Sequence, residues 1–199
     1  MNAANFLTLA RLSATPFVVG LMYFPGRMAR YGSVALFLCA MATDVFDGLL
    51  ACRRGVTVVG NYLDPVADKT LILCALVALS ERGVLPVWMA LVTIGRELIV
   101  SGVRDVAASR GKVVGANWMG KTKTFLQSVT IAWALLLWAQ APSADELRRT
   151  PEWRSLWWFA TATVAASVAF AIAFVLWHWP LVAGGVYPEA ARATNEKRG

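Results

Sequence analysis

Four carboxylates sit in one short stretch of an otherwise apolar chain: Asp44, Asp47, Asp64 and Asp68, within TDVFDGLLACRRGVTVVGNYLDPVADK. Asp44 and Asp47 are three residues apart and Asp64 and Asp68 four apart, so each pair shares a face if its segment is helical. Two such helices facing each other would gather all four acids. Carboxylates that close repel one another unless a cation holds them, and an oxygen-rich cluster suits hard divalent ions such as Mg2+, Mn2+ or Ca2+. The competing reading is local: Asp64 before Pro65 looks like a helix N-cap with proline in the first position. Capping leaves the other three acids unexplained, and charges inside a membrane are costly and usually functional.

The elements that must position these acids are membrane helices. The chain has 199 residues, of which 58% are hydrophobic and 16% charged, and its mean hydropathy is +0.56. That is too apolar for an ordinary soluble domain, and the apolar runs reach the length needed to cross a bilayer. Spans are expected at residues 5–24, 32–52, 61–80, 86–107, 118–140 and 155–179. Breaker-rich, charged connections separate them, among them PGRMARYG, CRRGVTVVG and RDVAASRGKVVGAN, and none is long enough to be a soluble domain. No internal repeat stands out. The expected fold is all-α: a polytopic integral membrane protein with about six transmembrane helices around a cytoplasm-facing polar cavity. It forms a single membrane domain over 1–199, with 184–199 as a polar C-terminal tail.

Orientation follows from Lys and Arg. An even number of spans puts both termini on one side, together with Arg53, Arg54, Arg104, Arg110, Lys112, Lys121, Lys123, Arg192, Lys197 and Arg198. The other side holds Arg27, Arg30, Arg82, Arg148, Arg149 and Arg154. Ten against six places the termini and the acid-bearing connection in the cytoplasm, in the cell membrane of the organism. A net charge of +7 fits a face lying on anionic lipid or handling an anionic substrate. It does not point to nucleic acid, because no basic run sits on a soluble module. The N-terminus makes a poor signal peptide, with no basic residue before the apolar stretch and Arg11 within it. Cys39, Cys52 and Cys74 lack ligand spacing and read as free buried thiols. Trp157 and Trp158, then Trp177 and Trp179, read as interfacial anchors, and His178 belongs to the second belt.

At the acids the sequence resembles the CDP-alcohol phosphotransferases. That family carries Asp-x-x-Asp-Gly-x-x-Ala-Arg, a short interval, then Gly-x-x-x-Asp-x-x-x-Asp. Here the match reads Asp44, Asp47, Gly48, Ala51, then Gly60, Asp64, Asp68. The departure is Cys52 where the family has arginine; Arg53 and Arg54 follow, and the interval to Gly60 is shortened. Arg53 is the candidate to take over the donor contact. Asn5-x-x-Thr8-x-x-Arg11, the stretch Gly95-Arg96-Glu97-Leu98-Ile99-x-Ser101-x-x-Arg104 and the stretch Trp118-Met119-Gly120-Lys121-Thr122-Lys123-Thr124 extend the likeness up to about residue 140, toward the branch that uses glycerol 3-phosphate. The resemblance implies transfer of a phosphatidyl group from CDP-diacylglycerol to sn-glycerol 3-phosphate with release of CMP, two divalent cations (Mg2+ or Mn2+), and a homodimer.

The chemistry agrees with that implication. Displacement at a pyrophosphate needs its charge offset, which two metal ions on bridging carboxylates provide. The attacking hydroxyl needs a base, and Asp68 could combine metal contact with proton acceptance. Gly48, Ala51 and Gly60 leave room for a nucleotide to approach closely, and with Arg53 they form the expected CDP site. Glycerol 3-phosphate is a small dianion, for which Arg96, Arg104, Lys121 and Lys123, with Arg11, are the candidate phosphate ligands. Each has a plainer reading. Lys121 and Lys123 could be positive flanks, Arg96 with Glu97 could form structural ion pairs to other helices while also serving the ligand, and Lys69, turned roughly 100° from Asp68, could be a snorkelling lysine. Two functional alternatives stay open: another acceptor, phosphatidylglycerol as in a cardiolipin synthase or inositol phosphate, or a transporter using intramembrane aspartates.

Overall fold

Away from water, a chain satisfies its backbone within helices, and long apolar runs leave it little alternative even where a proline such as Pro16 lies inside. The computed structural model describes the backbone of residues 3–51, 58–109, 118–141 and 143–183, and the side chains of residues 9–43, 66–67, 69–109, 122–141 and 143–179. Within these residues the structure is helical, without a strand: α1 (Ala3–Tyr23), α2 (Arg27–Ala51), α3 (Val58–Glu81), α4 (Val87–Ser109), α5 (Trp118–Gln140), α6 (Ala144–Arg148) and α7 (Pro151–Ala183). The six long helices fall on the six expected segments. The expected tail at 184–199 lies outside the described residues.

Three differences from the sequence reading have physical causes. Helix α2 begins at Arg27 rather than near residue 32, because Arg27 and Arg30 are used there. Their guanidinium groups donate to the carbonyls of Gln140, Trp138 and Ala141 at 3.2, 3.2 and 2.7 Å, neutralising the carbonyl end of α5 as cations do at helix C-termini. Helix α3 begins at Val58, so Asp64 and Pro65 lie inside it and the N-cap reading of that pair is incorrect. Helix α6 is too short to leave an apolar signature. It is started by Ser143, whose hydroxyl accepts from the Glu146 amide at 3.2 Å.

The packing order follows from the turns. Helix α1 packs against α2 and α3; α4 packs against α3 and α7; α5 packs against α2, α3 and α7. Val18 and Met22 of α1, Phe37 of α2, Leu71 and Leu79 of α3, Met89 of α4, Ile131 and Leu135 of α5 and Leu156 of α7 are buried in one apolar cluster. Most of these lie toward the ends of the helices far from the acid-bearing connection. That end is also clasped by polar contacts. Arg148 Nε donates to the Gly83 carbonyl and Trp153 Nε1 to the Val84 carbonyl, both at 2.8 Å. Tyr23 donates to Glu81, and the Arg82 guanidinium lies 4.6 Å from the Tyr23 ring.

Among the described residues, many large apolar side chains face outward. Phe17, Leu91, Leu98, Phe125, Leu176 and Trp177 all stand exposed, an arrangement that suits lipid and not water. Pro151–Trp179 is long and apolar enough to cross a bilayer, and Leu9–Tyr23 is apolar over a shorter length. The other long helices carry more polar residues; α4 alone holds the buried Arg96 and Glu97 and the half-buried Arg104.

Gly83 has a positive φ of 73°, and a Cβ there would meet Arg148 Nη2 at 2.7 Å. Gly83→Ala should therefore lower stability by about 1–2 kcal/mol through left-handed backbone strain, and more if Arg148 is displaced. Gly20→Ala, in open space within α1, should be neutral or slightly stabilising. Thermal unfolding of the two variants in detergent checks the contrast.

Candidate active site

The acid-bearing segments are helical. Asp44 and Asp47 lie in the last two turns of α2, together with Gly48 and Ala51; Gly60, Asp64 and Asp68 lie in the first three turns of α3. The helical backbone therefore supplies the register that places each acid pair on one face. The side chains of these residues, and Arg53 and Cys52 altogether, lie outside the described residues. Among the described residues there is no cluster of three metal-ligating side chains. The donor set fits the expected metal by its chemistry: four carboxylates in two helical pairs offer the hard oxygen ligands that Mg2+ or Mn2+ takes.

Beside the acid-bearing helices, the structure gathers a group of charges in the middle of the bundle. Glu97 of α4 is buried, and its Oε1 accepts from Arg96 Nη2 at 2.7 Å and from Lys123 Nζ of α5. Its Oε2 lies 3.7 Å from Lys69 Nζ of α3. Lys69 also donates to Ser101 Oγ of α4 at 2.7 Å, and Arg96 Nη1 donates to Ser167 Oγ of α7 at 2.5 Å. One carboxylate thus ties α3, α4 and α5 together, while Ser167 draws in α7. Glu97 stands about 15 Å along α4 from its first residue, so this is a deep cluster and not a rim of surface pairs.

The candidate acceptor ligands divide accordingly. Arg96 and Lys123 are brought together on Glu97. Arg104 follows about two turns later on α4, close enough to repel Arg96, and stacks on the Phe174 ring of α7 with its Cζ 5.4 Å from the centroid. The Nε groups of Arg96 and Arg104 are buried and have no acceptor among the described residues, so both guanidinium groups retain donor capacity. Arg11 is buried on α1, the helix that packs against both α2 and α3. Lys121 lies in the first turn of α5, its side chain outside the described residues.

Sequence reasoning missed four of these partners. Lys69 is not a snorkelling lysine: it is about one-third exposed and turned onto Ser101 and Glu97. Ser101, Ser167 and Phe174 carried no signal by type or spacing, although Ser101 sat within the quoted stretch. The reading of Arg96 with Glu97 as a structural ion pair to other helices holds: the same carboxylate meets Lys123 of α5 and Lys69 of α3.

A family model described as CDP-alcohol phosphatidyltransferase matches residues 1–184. The chain belongs to that family. Among CDP-alcohol phosphatidyltransferase relatives, it is 47% identical over 134 residues to a protein of Mycobacterium tuberculosis named probable phosphatidylglycerophosphate synthase, covering 65% of this chain and 64% of that protein. It therefore spans a little under two thirds of that relative's length. Two further relatives are named CDP-diacylglycerol--glycerol-3-phosphate 3-phosphatidyltransferase. The Bacillus subtilis protein is 40% identical over 149 residues, covering 68% of this chain and 77% of its own. The Escherichia coli K12 protein is 35% identical over 198 residues, covering 96% of each.

Removing the Glu97 carboxylate leaves Arg96 and Lys123 buried without their shared anion. Glu97→Ala should destabilise the protein by about 3 kcal/mol or more, the cost of breaking a buried ion pair from one side. Ser167→Ala removes one hydrogen bond to a charged donor and should cost about 2 kcal/mol or less. Thermal or denaturant unfolding in detergent separates the two.

Proposed function

We propose that this chain transfers the phosphatidyl group of CDP-diacylglycerol to the primary hydroxyl of sn-glycerol 3-phosphate, giving phosphatidylglycerophosphate and CMP. The observation that carries the reading is the convergence of Arg96 and Lys123, from separate helices, on one buried carboxylate. It gives a phosphorylated acceptor a cationic seat beside the helices that bear the family's aspartates. The names of the relatives point the same way.

Asp44, Asp47, Asp64 and Asp68 hold two divalent cations, Mg2+ or Mn2+, in this reading. When bound, the ions offset the charge of the donor pyrophosphate and of the departing phosphate. Gly48, Ala51 and Gly60 make room for the cytidine end, and Arg53 takes the contact that the motif arginine would make. Arg96, Arg104 and Lys123, with Lys121 and Arg11, bind the acceptor phosphate and so hold its free hydroxyl toward the donor. Asp68 takes the hydroxyl proton as the oxygen attacks the β-phosphorus. The bond from that phosphorus to the bridging oxygen breaks, and CMP leaves with the bridging oxygen.

The six long helices cross the membrane, and the acid-bearing end faces the cytoplasm, in keeping with the ten-to-six division of Lys and Arg. The lipid's acyl chains stay in the bilayer during the reaction. The chain works as a homodimer, an extension made on family resemblance alone.

CMP release by the purified protein in detergent, with CDP-diacylglycerol, should require both Mg2+ or Mn2+ and glycerol 3-phosphate. Release only with phosphatidylglycerol or inositol phosphate would keep the family chemistry and reject this acceptor. Asp68→Asn should lower kcat by about a hundredfold or more, the scale of a lost general base, with donor binding retained. Lys123→Ala should raise the KM for glycerol 3-phosphate by about tenfold or more, the scale of one hydrogen bond to a charged group.

A further inference from the structure

We infer that Lys69 is a direct ligand of the acceptor's phosphate, and that with Arg96 and Lys123 it makes the site select a dianionic acceptor over a neutral one. This rests on the reading under Proposed function and adds a residue from α3, the helix that also carries Asp64 and Asp68. Three observations carry it. First, Lys69, Arg96 and Lys123 all lie within 3.7 Å of the Glu97 carboxylate. Among the described side chains, three cations thus share one anion. A singly charged ligand needs one such partner, whereas a phosphate monoester presents three terminal oxygens and two charges.

Second, Lys69 is the most accessible of the three: its side chain is 37% exposed, against 13% for Lys123 and 5% for Arg96. Its distance from Glu97 is too long for a hydrogen bond, and among the described side chains it donates to the neutral Ser101 hydroxyl. Exchanging that neutral acceptor for a phosphate oxygen replaces an ordinary hydrogen bond with a charge-assisted one. Third, the buried Arg96 Nε has no acceptor among the described residues, so the cluster holds a spare donor as well as spare charge. Glu97 keeps the cations from driving one another apart while the seat is empty.

The phosphate recognised could belong to the acceptor or to the donor's pyrophosphate, and steady-state kinetics on the full chain in detergent separates them. Lys69→Gln should raise the KM for glycerol 3-phosphate by about tenfold or more while kcat stays within about threefold and the KM for CDP-diacylglycerol is unchanged. Lys69→Arg should restore most of the loss, and Lys69→Met, which keeps the apolar stem, should reproduce it. An unchanged acceptor KM in Lys69→Gln or Lys69→Met overturns the inference. So does a rise in the donor's KM instead, or a joint fall in kcat and rise in both KM values. A wild-type protein that releases no CMP with glycerol 3-phosphate overturns the proposed function itself, and this inference with it.

Discussion

The arrangement of α3, α4 and α5 depends on one buried negative charge. Glu97 sits in the middle of the bundle with a guanidinium and two ammonium groups around it. Arg96 and Lys123 alone would each be expensive to bury, and the three cations together would repel one another. A single carboxylate makes their company tolerable, and it does so by holding side chains from three helices to one point. Charge pairs of this kind stabilise little relative to a well-packed apolar alternative. Their persistence at this depth is best understood through what the positive groups can do for an anion.

The bundle divides along its length. Toward the acid-bearing connection lie the carboxylates of α2 and α3 and the charged cluster; toward the opposite end lie Phe37, Met22, Leu79, Leu135 and Leu156, all buried. Beyond that apolar core the helix ends are fastened by arginine and tryptophan donors on backbone carbonyls. Rigidity at one end and polarity at the other suit a molecule whose reacting groups must be held in register by elements that meet elsewhere.

Much of this was legible in the sequence, and the limits have physical reasons. Helix positions follow from run length and breakers, so the six long helices could be placed within a few residues. The acid register of Asp44 with Asp47, and of Asp64 with Asp68, follows from helical geometry once the segments are helical. The pairing of Arg96 and Lys123 does not follow, because it depends on how α4 and α5 rotate about their own axes. That rotation is set by core packing among residues such as Met89, Ile131 and Leu135. Lys69 was misread for the same reason: the groups it meets, Ser101 and Glu97, belong to another helix. Ser167 and Phe174 are ordinary residues of an apolar helix until α7 is laid against α4. The misreading of Asp64 and Pro65 came from a local signal that the longer helix overrode.

The clasped, apolar end also bears on what the protein must not do. A cluster of ionisable groups halfway through a bilayer is the usual raw material of a proton or ion pathway. Here the opposite end is filled by Val18, Met22, Phe37, Leu79 and Leu135, which are 0–1% exposed. These side chains offer no polar atom to hand a proton onward. In the membrane placement proposed above, the same packing that joins the helix ends would act as electrical insulation beside the charged cluster.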